Sequence, residues 1–381
     1  MCRNIFRILL FYLSLFLTNS VISKAQSVDE FDIVKVAEST KNTPISQVLD
    51  LDFSFRKTDY NQVKMYVADA LSPYVIVMVQ DKNQLTMKGQ IGKNGRGPGE
   101  FLKVSNLQLM GEEELLAYDN RLKRASVFNI ESHEVGKMIS LNVNRGNNPT
   151  ELFATSGNAF FSREERFFRE TDKSGQKRFV VLKKYDNDGE LKQDSVLVKF
   201  DDDALVYRTS GGMSVNTMPA IGRKSIFRFY DNKIYHAWTG ENRIDVYDYS
   251  GQKLNSIEPV GINRKEITDD DFEDFVKLES KLEGTRKSKL KPTIKKYIPD
   301  QWPYFDDFLI DDKGQIWIAE SVHMGEKMRS WFIIKASDNK LVGKVQLPAN
   351  FTPHQIKSGY IAGQHMDDNF NASIQLYKVT N

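Results

Sequence analysis

Hydrophobic positions along this chain fall into short runs that end in a small residue, often followed by an acid. The clearest are Met65-Tyr66-Val67-Ala68-Asp69, Leu115-Leu116-Ala117-Tyr118-Asp119, Ala159-Phe160-Phe161-Ser162, Ile234-Tyr235-His236-Ala237, Ile316-Trp317-Ile318-Ala319-Glu320 and Tyr360-Ile361-Ala362. Aromatic and β-branched residues at strand length, bounded by Gly, Asp and Asn turns, predict β-strands. The anchors Ala68, Ala117, Phe161, Ala237, Ala319 and Ala362 lie 49, 44, 76, 82 and 43 residues apart. Three of these intervals suit repeats of four strands, as in a propeller blade of roughly 40–50 residues. The pattern therefore predicts an all-β chain, a six-bladed β-propeller.

The two long intervals carry insertions rather than further blades. Thr268 followed by Asp269, Asp270, Asp271, Glu273 and Asp274 reads as an N-cap with acids in the first turn. Phe272, Phe275, Val276 and Leu282 follow at helical spacing, and basic residues crowd Arg286 to Lys296. This places a helical insertion at about 266–298, between the fourth and fifth repeat units. In the other long interval, Arg178–Tyr185 and Glu190–Phe200 form an outer hairpin about Asp186-Asn187-Asp188-Gly189, and Asp201–Gly222 reads as loop. Long loops add little closure entropy. The last unit supplies only three strands, ending with Ser373–Val379, so Asp32–Val36 or Val48–Phe53 is expected to complete its sheet and remove the open edges.

The first 25 residues change the picture of where the protein works. Arg3 and Arg7 precede an apolar stretch from Ile8 to Leu17, and Ser23-Lys24-Ala25 puts small residues at a cleavage site. Residues 1–25 are thus expected to be a signal peptide, leaving 26–381 as a single propeller domain that is exported, periplasmic or extracellular. No later stretch is apolar enough to span a bilayer. Cleavage removes Cys2, the only cysteine, so disulfides and thiol chemistry are excluded. It also removes three of 53 basic residues and none of the 51 acidic ones. Nucleic acid, whose binding needs a basic stripe, is not an expected partner.

One motif carries a resemblance. Ile91-Gly92-Lys93-Asn94-Gly95-Arg96-Gly97-Pro98-Gly99-Glu100-Phe101 resembles the inter-blade turn of NHL-repeat and TolB-like six-bladed propellers, in particular a family of exported Gram-negative bacterial propellers. The resemblance implies the propeller fold over nearly the whole mature chain and no common activity. From the residues alone, Gly95, Gly97 and Gly99 permit positive φ and Phe101 would plug into the next blade. A phosphate-cradling loop would need a helix after the glycines, where Phe101–Leu109 alternates like a strand.

In such a fold the loops joining blades and those joining second to third strands share one face. The long loops gather there, and it is expected to be the functional face. Arg121, Lys123, Arg124, Arg163, Arg166, Arg243 and Arg329 lie at its second-to-third strand loops and would contact an anionic sugar, peptide carboxylate or protein. His236, His323 and His365 come from repeat-equivalent regions of the same rim. The leading expectation is an exported, non-catalytic module binding a protein, peptide or glycan partner, with no cofactor. The alternative is a metal-assisted hydrolase or lyase in which Glu100, Glu151, Asp306 and Asp307 converge on the channel and hold calcium. No His-Glu-x-x-His or Gly-x-Ser-x-Gly motif points to other chemistry.

Overall fold

The structure, a computed structural model, describes residues 29–380 apart from 41–42, 56–61, 144–147, 156–158, 169–176, 201–204, 209–213, 218–221, 283–291, 293–294, 296–298 and 324. The expected signal peptide lies outside the described residues. What is described is almost all β, in six successive antiparallel four-stranded units. The first comprises Val48–Phe55, Val63–Asp69, Val75–Asp81 and Gln84–Ile91. The second comprises Val104–Met110, Glu114–Asp119, Arg124–Asn129 and Val135–Ser140. The third has Pro149–Ala154, Ala159–Phe168, Lys177–Asp186 and Leu191–Phe200, and the fourth Ser225–Tyr230, Lys233–Trp238, Ile244–Asp248 and Lys253–Ile257. The fifth has Phe305–Ile310, Gln315–Glu320, Met328–Lys335 and Lys340–Pro348.

The sixth unit is assembled from both ends of the described chain. Phe351–Lys357, Tyr360–Met366 and Ala372–Thr380 are followed in space by Glu30–Ser39, which runs antiparallel to the last strand with Asp32 opposite Thr380 and Glu38 opposite Gln375. Of the two segments available from the sequence, the more N-terminal one completes this sheet, while Val48–Phe55 opens the first unit. At its ends the same strand also pairs in parallel with outer strands of its neighbours, Glu30 opposite Lys344 and Glu38 opposite Gln84. The fifth, sixth and first units thereby form one twelve-stranded sheet.

Six apolar clusters hold the units together, each shared by two that are consecutive in the chain or, in one case, by the sixth and the first. The second strands explain this. Met65 and Val67 face the sixth unit while Tyr66 and Ala68 face the second, so both sides of the strand are buried. The same alternation puts Ile316 and Ile318 against the fourth unit and Trp317 and Ala319 against the sixth. Near-continuous apolar runs are what a strand covered on both faces requires.

Acidic residues at the ends of second strands tie turns to these sheets. Asp119, fully buried, accepts backbone N–H bonds from Leu102, Lys103, Arg121 and Leu122 at 2.6–3.1 Å. Asp69 does the same for Ser46, Gln47 and Leu71. Both act on turn amides, as their position in the repeat suggests.

The insertions are partly as expected. Helix α1 (Asp269–Leu282) starts at Thr268, whose hydroxyl accepts the Asp271 N–H at 3.1 Å while the Asp271 carboxylate accepts the Thr268 N–H at 2.9 Å. This is a reciprocal capping box with Asp at the third position. The basic stretch from Arg286 to Lys296 lies largely outside the described residues. Within the expected loop 201–222, two short strands, Leu205–Arg208 and Ser214–Thr217, pair instead. In the glycine motif, Gly92, Gly95 and Gly99 take positive φ and Gly97 does not. Gly92 is required because a Cβ there would lie 2.5 Å from the ring of Phe101, which is buried in the core between the first two units and packs on Phe128.

Replacing the buried Asp119 by Ala removes the acceptor of four backbone N–H groups and is expected to lower unfolding stability by about 2–4 kcal/mol. Urea denaturation followed by circular dichroism measures it; a midpoint unchanged from wild type would remove the carboxylate's structural role.

Candidate functional site

The first strands of all six units line a common cavity of about 570 Å³. In five of them the ladder slips by one residue just before a cavity-lining side chain: Asp50, Asn106, Glu151, Asp307 and Gln355. A bulge re-aims the residue that follows it. Three of these side chains, Asp50, Asn106 and Gln355, then bond the backbone of the next unit. Asp50 accepts the Leu107 N–H at 2.7 Å and Asp52 the Leu109 N–H at 2.8 Å. Asn106 accepts from Leu152 N–H at 3.1 Å, and Gln108 accepts from Ala154 N–H at 2.8 Å. Gln355 accepts the Phe53 N–H at 2.9 Å and donates to Asp52. Arg228 in the fourth unit donates to Phe308 O and to the Asp307 carboxylate, both at 2.9 Å. Between the third and fourth units a stack of Phe153 on Phe229, 4.4 Å between centroids, takes the place of such bonds.

The cavity perturbs its ionisable groups. Burial pushes the Asp50 carboxyl up to about 7 despite the bonds from Leu107 and Asn106, and raises Asp52 as well. His354 is pushed down to about 4, again by burial, with Asp307 and Arg228 as its charged neighbours.

A second site sits on the edge where first strands begin and second strands end. Lys199, Arg223, Ser225, His236, Trp238, Glu241, Arg243 and Asp245 surround a pocket of about 410 Å³ between the third and fourth units. Arg243 bridges Glu241 at 2.8 Å and Asp245 at 3.1 Å. Lys199 Nζ donates to the Tyr247 hydroxyl at 2.6 Å, which donates in turn to Asp245 at 3.2 Å. Burial holds the Lys199 ammonium below its ordinary value. It works to raise Asp245, but Lys253, Ser256 and Arg243 together hold that carboxyl below the usual range. His236 is buried against Phe227, its Nε2 lies 2.9 Å from the Ser225 hydroxyl, and burial pushes it down to about 3, so it is neutral.

The residues singled out from the sequence separate into distinct places. Arg243 and His236 come together in this pocket. Arg329 and His323 share a smaller one of about 270 Å³ in the fifth unit, where Arg329 pairs with Asp306 at 2.9 Å and His323 Nδ1 lies 2.8 Å from Asp271 of α1. His365 lines a third pocket beside Asp367, so the three histidines do not meet. Arg163 pairs with Glu151 at 3.5 Å, Arg121 is exposed, and the Arg166 side chain lies outside the description.

The proposed calcium set is not gathered. Glu151 and Asp307 line the cavity, Asp306 turns away to Arg329 and Ser321 because adjacent strand residues face opposite sides, and Glu100 caps its own glycine loop. The Glu100 carboxylate accepts the Gly97 N–H at 2.7 Å and is held below its ordinary value chiefly by that bond. Among the described residues no three His, Cys, Asp or Glu are grouped to hold a metal. What the sequence did not single out are Lys199, Arg223 and Trp238 in the pocket and Asp50, Asp52, Arg228 and His354 in the cavity. The alternation Leu-Asp-Leu-Asp-Phe at 49–53 and Asn-Leu-Gln-Leu at 106–109, polar against apolar within strand-like runs, is the signal that could have found the cavity lining.

No family model matches the chain and no curated protein does. Among solved structures it is similar to a member of the DUF4221 family from Bacteroides vulgatus, at 10% identity and a TM-score of 0.50, covering 93% of this chain and 98% of that one. It is likewise similar to a Bacteroides fragilis protein provisionally assigned as exported, at 12% identity and a TM-score of 0.50, covering 94% and 97%. At such identities the likeness concerns fold. No helix among the described residues is long and apolar enough to cross a membrane.

His236 and His354 have folded values below the unfolded 6.5, so at these two sites the unfolded chain takes up protons first on acidification. The stability they support is present above pH 6.5 and is lost as pH falls from there toward 4 and 3. The double variant His236→Gln/His354→Gln is expected to lose less stability between pH 6.5 and 4.5 than wild type in urea titrations. Parallel pH curves would refute the neutral buried state.

Proposed function

We propose that this chain is an exported six-bladed β-propeller that serves as a non-catalytic binding module, engaging a protein, peptide or glycan through the face that carries its second-to-third strand loops. Six cores linked in a cycle, with the first strands of all units on one cavity, support the radial reading. The character of residues 1–25 and the exported neighbour from Bacteroides fragilis support export. The observation that carries the binding reading is the pocket between the third and fourth units, which puts an indole, three basic side chains and two carboxylates on that face. Donors, acceptors and an aromatic surface in one concavity are what recognition of a polar ligand uses. The cavity carboxylates, in contrast, are engaged by backbone N–H groups and by arginines, which suits them to holding units together rather than to chemistry.

The test is binding of the mature protein to peptide and glycan arrays. The double variant Trp238→Ala/Arg243→Ala is expected to lose at least tenfold in affinity, while Arg329→Ala, in a separate pocket, retains it. Equal binding by the double variant, or no wild-type binding to either array, would overturn this reading.

A further inference from the structure

We propose that a groove at the junction of the sixth and first units is a second binding site, for an uncharged oligosaccharide. It shares no residue with the pocket between the third and fourth units and so goes beyond the reading based on that pocket. The groove holds about 1170 Å³ and runs from the end of strand Glu30–Ser39 and the start of Gln84–Ile91 to the loop 367–371, which joins the second and third strands of the sixth unit. Small-molecule pockets are roughly 300–1,000 Å³. This groove has room for several sugar units in a row.

An aromatic side chain is held in its wall. Phe370 is 52% exposed and has a φ of 63°, in the left-handed region that a bulky residue rarely enters. Its own loop fixes it there. Asp367 Oδ1 accepts the N–H groups of Asn369 and Asn371 at 2.9 and 2.8 Å, Oδ2 accepts the Asn371 side-chain amide at 2.8 Å, and the Phe370 N–H donates to Asp367 O at 2.9 Å. Backbone strain kept in place by surrounding bonds clusters at ligand clamps. A phenyl face on a braced backbone suits the C–H-rich side of a pyranose, because little of the loop remains to be ordered on binding.

The polar groups open to a ligand are amides. Asn83, Gln84 and Asn369 line the groove, and their side chains make no hydrogen bond to any described residue. Each amide offers an acceptor and two donors, and sugar hydroxyls, which donate and accept at once, need both. The two carboxylates of the lining are already engaged through both oxygens. Glu38 Oε1 accepts from Ser373 at 2.9 Å and Gln375 at 2.8 Å and its Oε2 from Lys35 at 2.8 Å, while both Asp367 oxygens serve the loop. What remains is the amides and the His365 imidazole, none of them a fixed charge. A peptide has no strand edge to extend here, since the two strands at the junction pair with each other, Glu38 opposite Gln84 and Ser39 opposite Leu85.

Isothermal titration with neutral hexasaccharides of glucose, mannose, xylose and galactose tests the proposal. At least one is expected to bind, with an affinity unchanged when salt is raised, because no ion pair forms. Phe370→Gly takes up the left-handed φ without strain, so it should keep the melting temperature and lose about tenfold or more in affinity. Phe370→Tyr should retain binding, and Asn83→Ala/Asn369→Ala should lose about tenfold. The variant Trp238→Ala/Arg243→Ala should bind the same hexasaccharide as wild type does. No binding of any hexasaccharide, or binding that Phe370→Gly leaves intact, overturns the proposal. If the sugar is lost with Trp238 and Arg243 and kept by Phe370→Gly, this groove is not its site and the reading based on the other pocket stands; the reverse pattern supports the groove alone.

Discussion

The arrangement depends on side chains that stand in for a backbone ladder. The first strands of neighbouring units lie side by side without pairing as a sheet, which leaves their N–H and C=O groups in need of partners. Asp50, Asp52, Asn106, Gln108, Arg228 and Gln355 meet that need, each reaching across to the next unit's backbone. The recurrent bulges aim three of them, Asp50, Asn106 and Gln355. Burying carboxylates in this way has a cost, seen in the upward displacement of Asp50, and the bonds it accepts offset part of it. Between the first strands of the third and fourth units two phenylalanines, Phe153 and Phe229, stack.

This division of labour separates the cavity from the rim. Cavity groups are occupied in joining the units, whereas rim groups pair largely within one unit, as Arg243 does with Glu241 and Asp245 and Arg329 with Asp306. Rim pairs that are half exposed contribute little to stability and can exchange partners with a ligand. The cavity ones cannot do so without loosening a junction. The contacts that join units and the exposed ion pairs thus occupy different layers of the same strands.

The strands were legible in the sequence because their burial on two faces leaves a plain signature, as in Ile316–Ala319, and helix α1 announced itself through Thr268 and the acids after it. The glycine motif was legible as a turn, but which glycines bend left-handed depends on Phe101 folding back over Gly92, a contact that spacing alone does not reveal. The site was less visible. Lys199 meets Tyr247 and Asp245 only because the outer strand of one unit packs beside the next, across more than 40 residues of chain. The histidines show the converse: His236 lies within a second strand, His323 in the loop after one and His365 near the end of one, each in its own unit, so they are held apart.

The shared sixth unit imposes an order on maturation. Strand Glu30–Ser39 emerges from the ribosome before any of its partners, yet its antiparallel neighbour Ala372–Thr380 comes almost last. Until then the earliest strand lacks its antiparallel partner. This pairing joins Asp32 to Thr380 and Glu38 to Gln375, a contact of very high sequence separation and so a slow one. A chain stalled or clipped near residue 372 would keep every other unit but lack the strand that joins the two parts of the sixth.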